Sequence, residues 1–220
     1  MYVVRIKGSN VVAGHTTVER LEGWVSAERL AKYRQAADPV ALYEWNAELG
    51  ATVFELIGHV EVVLRNAIHG QLAARSGTSA WYDDPFYRFN AHTAKDIVKA
   101  KARAGAHGRM VTPGRVVAEL TFGFWRYMLA STYQATVWPK ASRAFRGLPR
   151  SQRSRAAIER QVLSINDTRN RIAHQEPVFT LPAARLEADI VALANEIDPQ
   201  AGAWIASISR VAATLAARPS

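Results

Sequence analysis

The chain has 220 residues, 49% hydrophobic and 21% charged, with 13 glycines, 9 prolines and no cysteine. That balance fits one globular domain with a core of its own and argues against a fibre, a disordered tail, a disulfide scaffold or a thiolate metal site. The 28 Lys and Arg against 19 Asp and Glu leave a net charge of +9, so a polyanion such as nucleic acid is the first partner to consider.

No stretch reaches the roughly 18 to 20 uninterrupted apolar residues of a membrane span. Met1 to Gly8 carries Arg5 and Lys7 with no long apolar region after it, so no secretory signal is expected. A cytoplasmic protein that does not enter the membrane is the expectation.

Helical spacing dominates the chain. Ser26 with Arg29, Leu30 and Tyr33 predicts a short capped helix. Asp38 followed by Pro39 is a cap and first helical residue, and Leu42, Trp45, Leu49, Val53, Leu56, Val60 and Val63 then recur every three or four residues. This is one helix of about 35 residues ending near Gly77. Ser79 to Phe89, rich in aromatics, Asp and Pro, reads as an ordered loop, and Trp81 with Tyr82 is its one candidate pair for stacking on bases. Asn90 caps a basic helix, and the three glycines and the proline from Gly105 to Gly114 mark the segment best suited to move. Further helices are predicted from Pro113 past Met128, from Trp138 to Gly147, from about Arg150 to Arg171, from Pro182 to Ile197 and from Pro199 to Ala217. With no strand of convincing alternation, the expected class is all-α: an N-terminal extension over 1–25, a helical domain over 26–180, and C-terminal helices over 181–220 packed on it.

On the helix after Arg150, Ile158, Val162, Ile165 and Ile172 share a stripe, and Arg169 falls inside it. A guanidinium there must meet an acid, a backbone acceptor, a pocket or a second subunit, because burying it unpaired is costly. Five residues later His174 precedes Glu176 and Pro177, where the helix has ended. The spacing alone is weak, since chance supplies roughly one or two such pairs in a chain this rich in arginine. A satisfied helix-end histidine remains the bland reading of His174, and an exposed polar residue that of Asn170.

On the long helix, Glu61, Arg65 and Asn66 interrupt an apolar run. Glu61 and Arg65 stand at i and i+4, either as a decorative ion pair or as groups beside Arg169 and His174. Arg143, Arg146, Arg150, Arg153 and Arg155 lead into the motif helix with Glu159 as the only nearby counter-charge, either a track for an RNA backbone or a solvated face. No His, Asp and Glu set has metal-ligand spacing, and no phosphate loop or nucleophile elbow is present, so neither metal nor cofactor is expected.

Four segments in order, Leu42-Tyr-Glu-Trp-Asn-Ala-Glu-Leu49, Val60-Glu-Val-Val-Leu-Arg-Asn-Ala-Ile68, Phe122-Gly-Phe-Trp125 and Arg169-Asn-Arg-Ile-Ala-His-Gln-Glu-Pro177, resemble the abortive-infection (Abi-like) proteins of bacteria within the HEPN superfamily. The resemblance spans about residues 26–180. It implies a helical bundle with long antiparallel helices, commonly a homodimer, and in many members a metal-independent ribonuclease. The signature of those ribonucleases is an arginine, four to six residues beginning with a polar one, then a histidine. Arg169, Asn170 and His174 match it residue by residue.

The resemblance therefore implies that His174 serves as base or acid, Arg169 stabilises the phosphorane and Asn170 orients His174 or the phosphate, with the two copies of the motif meeting across a dimer interface. The products would be 2′,3′-cyclic phosphate and 5′-hydroxyl ends, and the substrate tRNA or mRNA in phage defence or toxin-like action. Two rivals stay open: a helical module that only binds RNA or protein, and an enzyme held inert by an antitoxin or accessory protein.

Overall fold

The structure is a computed structural model that describes residues 16–220. The reading of Met1 to Gly8 lies outside the described residues. Every regular element among those described is helical: α1 (Val18–Val25), α2 (Ala27–Leu30), α3 (Pro39–Ser76), α4 (Ala91–Ala104), α5 (Pro113–Glu119), α6 (Phe122–Met128), α7 (Trp138–Ala141), α8 (Arg155–Ala173), α9 (Ala183–Ile197), α10 (Pro199–Ile208) and α11 (Val211–Ala216).

The 38-residue α3 is the axis of the bundle, about 57 Å long at 1.5 Å per residue. Its N-terminus is closed by the Asp38 carboxylate, which accepts from the Val40 and Ala41 amides at 3.0 and 2.9 Å. Gly77 ends it in the left-handed conformation, φ +68°, which a residue without a β-carbon adopts at no steric cost. The positions predicted from its spacing, Leu42, Trp45, Leu49, Val53, Leu56 and Val60, are all buried.

Two layers run back along this axis. Gly50 lies against Ile172, and four residues on the Phe54 ring lies under the Arg169 guanidinium, so α8 is antiparallel to α3. The C-terminal helices descend the other flank in the same opposed sense. The Trp45 indole donates to the Thr214 carbonyl at 2.7 Å, Thr52 meets Thr214, Glu55 pairs with Arg210, and His59 lies edge-on to Trp204. One core cluster runs from Leu21 to Val211.

Four predicted helices are broken or shortened. The helix opened by Pro113 stops at Leu120, whose ψ of 122° is extended, and restarts when the Thr121 hydroxyl accepts from the Phe124 amide. Ser209 separates α10 from α11, its hydroxyl accepting from the Val211 amide. The motif helix begins at Arg155, capped by Ser154, and Arg150 to Gln152 form only a 3-10 turn. The helix predicted from Trp138 to Gly147 is helical only to Ala141, then tightens into a 3-10 turn ending at Ala144. In addition, α1 lies in the stretch taken as an extension and buries Leu21.

The Ser79 to Phe89 segment is ordered as two 3-10 turns, but the expectation that Trp81 and Tyr82 offer a stacking surface is corrected. Both are buried, and Trp81 sits among Tyr87, Phe89, Phe124 and Trp125 with its indole N–H donating to His69 Nδ1 at 2.8 Å. Burial and the nearby Arg65 charge hold the His69 imidazole below its ordinary pKa. The Phe122-Gly-Phe-Trp125 segment is thus a core feature.

Tyr33 joins α2 to the bundle, buried between the rings of Tyr43 and Phe179 at 5.2 Å each. Burial, with Tyr43 beside it, pushes its phenol up to about 12. The neutral form is the one the fold prefers, so the unfolded phenol ionises near pH 10 and the folded one does not until about 12. Stability contributed by Tyr33 is therefore present below pH 10 and lost as pH rises from about 10 to 12. Thermal melts across that window should fall less steeply for Tyr33→Phe than for the wild type; equal slopes would contradict the assignment.

Candidate active site

The motif helix ends in a turn clamped from three sides. His174 is its last capping residue, with its amide donating to the Asn170 carbonyl at 3.0 Å. Gln175 follows with φ +57°, unusual for a residue with a side chain, and Arg29 of α2 donates to its carbonyl at 3.0 Å. Arg171 reaches forward to the Glu176 carboxylate and the Pro177 carbonyl, both at 3.3 Å. Beyond the turn, the Asn46 side-chain oxygen accepts from the amides of Val178 and Phe179 at 2.8 and 3.0 Å.

Held this way, His174 is exposed, and its imidazole makes no hydrogen bond to any described residue. It lines a cleft of about 320 Å³ whose far wall is α2, with Glu28, Arg29 and Lys32. A second hollow of about 300 Å³ lies on the other side of the turn, between Gly50, Phe54, Ile172 and Gln175.

Arg169 is half-buried one turn back. Its guanidinium lies 5.6 Å from the centre of the Phe54 ring and 3.4 Å from the Asn170 side-chain oxygen, which Arg169 approaches as donor. Glu61 faces it from α3 without a direct ion pair. Burial raises the Glu61 pKa, and the Arg169 and Arg65 charges only partly offset that. The structure thus places Glu61, Arg65 and Arg169 within electrostatic reach of one another, and His174 at the far end of the turn, beyond Glu61 and Arg65. Asn66 points elsewhere: it accepts from Arg65 at 3.4 Å and lines a groove with Arg146.

The five arginines of the predicted track divide. Arg155 donates to the Leu129 carbonyl and pairs with Glu159, whereas Arg153 donates one N–H to the Leu148 carbonyl at 3.0 Å and keeps its charge, and both help to hold the start of α8. Arg143, Arg146 and Arg150 are exposed and form no ion pair among the described residues. They precede α8, and the length of that 19-residue helix, about 28 Å, separates its start from His174.

Residues 20–180 match the family model described as Abi-like protein. The chain belongs to the Abi-like family. Searches of curated proteins and of solved structures return no match. The match starts six residues before Ser26, so it takes in most of α1. Family membership connects this Abi-like protein with abortive infection, a defence role. Among its described residues no helix is long and apolar enough to cross a membrane, and no three His, Asp or Glu side chains gather as a metal site requires.

Three contributors were missed from the sequence. Asn46 carried the same signal as Arg169, a polar side chain on an apolar stripe, four residues after Leu42 and three before Leu49. Lys32 and Glu28 of this Abi-like chain carried none, because they meet the motif only through the tertiary fold.

Proposed function

We propose that this protein is a metal-independent endoribonuclease of the HEPN type, acting in the cytoplasm in abortive infection or as a toxin-like effector. The observation that carries the reading is the Arg169, Asn170, His174 motif at the clamped end of α8 in a chain whose residues 20–180 match the Abi-like family. An exposed imidazole over an open cleft can reach a ribose 2′-hydroxyl or a leaving 5′-oxygen and can serve as base or acid there. In-line attack of the 2′-oxygen on phosphorus breaks the bond to the 5′-oxygen. The 2′-proton goes to the base and the leaving oxygen takes one from the acid, leaving a 2′,3′-cyclic phosphate and a 5′-hydroxyl. A guanidinium such as Arg169 offers paired donors to the phosphorane oxygens.

The protein acts as a homodimer in this reading. Phe54 and Val62 are exposed on the outer face of α3, with open space at Gly58 between them, and they flank half-buried Glu61 and Arg169. A second copy over this face would cover the apolar surface and bring two motifs together, one His174 as base and the other as acid. Arg143, Arg146 and Arg150 would hold the RNA backbone away from the reacting phosphate.

Incubation of the purified protein with total RNA and with tRNA in EDTA tests this. Fragments with cyclic-phosphate and 5′-hydroxyl ends are expected, from a protein with the mass of a dimer in solution. Intact RNA would move the protein to the class of binding modules or silenced effectors, and a monomer would remove the two-histidine arrangement.

A further inference from the structure

The cleft over which His174 stands has a second wall that the motif does not contain. It is built by α2 and the turn after it, which are fixed to the bundle by buried Leu30 and Tyr33 and tied to the motif turn by the bond from Arg29 to the Gln175 carbonyl. The cleft is therefore part of the packed fold and is not assembled on demand. From this wall Glu28, Arg29 and Lys32 line the same space as His174.

The charges in that space do not cancel. Glu176 is paired with Arg171, and Arg29 spends one donor on a neutral carbonyl and keeps its charge. Lys32 is exposed and forms no ion pair among the described residues. Two cations thus stand against one unpaired carboxylate, Glu28, and the ammonium of Lys32 is the group free to exchange water for a new anion. A volume of about 320 Å³, open on one side, admits one nucleotide unit with its neighbours outside.

We propose that Lys32, with Arg29 beside it, forms the phosphate-binding subsite of this cleft and holds the RNA backbone next to the bond that His174 acts on. The proposal rests on the ribonuclease reading above and adds the wall on which the substrate lies. Lys32 binds and positions; the proton transfers stay with His174. Glu28 narrows the choice of where a phosphate can sit, because an anion placed beside its carboxylate would be repelled.

The test uses the full-length protein and a short single-stranded 2′-O-methyl RNA, which lacks the attacking hydroxyl and so reports binding alone. Lys32→Ala should weaken binding and flatten its salt dependence by about 0.7 in the log–log slope, the share of one phosphate contact on a single strand. Between about 50 and 200 mM salt the wild type should then lose about 2.5-fold more affinity than the variant. Glu28→Gln should tighten binding, an opposite change that damage to the fold would not produce. With cleavable RNA, Lys32→Ala should raise KM more than it lowers kcat. Normal cleavage and an unchanged salt slope in Lys32→Ala would overturn this subsite and leave the ribonuclease standing. A wild-type protein that neither binds nor cuts RNA would remove both.

Discussion

A His174→Ala protein is expected to fold and to bind RNA as the wild type does, and to cut it about 10²- to 10⁴-fold more slowly, the usual share of one acid or base group. The separation of the two effects follows from the surroundings of the residue. Its side chain is exposed and makes no hydrogen bond within the described fold, and the cap on α8 is made by its backbone amide, which alanine keeps. Stability should therefore move by no more than about 0.5 kcal/mol, as for ordinary surface substitutions. Arg169→Ala is the poorer test, because it also removes the cation over the Phe54 ring and leaves Glu61 with one neighbour fewer. Gel analysis of total RNA beside a thermal melt decides the matter: undiminished cleavage by His174→Ala would refute the role assigned to it.

The second large effect is on stability. Asn46→Leu keeps the number and branching of the side-chain heavy atoms and removes the oxygen that accepts from both Val178 and Phe179 amides at this buried position. Two backbone donors stranded away from water should cost about 2–4 kcal/mol, seen as a lower urea midpoint. The loss should appear first as faster amide exchange at Val178 and Phe179. Since Asn46 and Arg29 hold the same turn, RNA cleavage should fall as well, although His174 is untouched. An unchanged midpoint would show that the two amides find other acceptors and that Asn46 is not the clamp.

What could be read in the sequence was what is local and periodic. Asp38, Pro39 and Gly77 bracket α3 by cap chemistry, and its buried face follows from spacing alone. The breaks at Leu120 and Ser209 were hidden because the apolar spacing carries on across them and neither has a glycine or proline; a single hydroxyl restarts each helix. Trp81 and Tyr82 looked available because polar residues surround them in sequence, whereas the folded loop turns both inward to the aromatic cluster. For the site, Arg169 was legible as a charge on an apolar stripe. The α2 wall was not, since a cleft made by segments far apart in the chain leaves no repeat to detect. For the arginine track, a count of charges does not tell which of them, like Arg155, are paired with an acid within the fold.

The long face of α3 is covered in part by helices beyond residue 180. Ala183, Leu186, Ile190 and Leu193 of α9 are buried, and Trp45 within the matched region is bonded to Thr214 outside it. The border of recognisable kinship, at residue 180, is therefore not the border of cooperative folding. The flank of α3 that α9 and α11 cover therefore depends for its burial on chain outside the matched region.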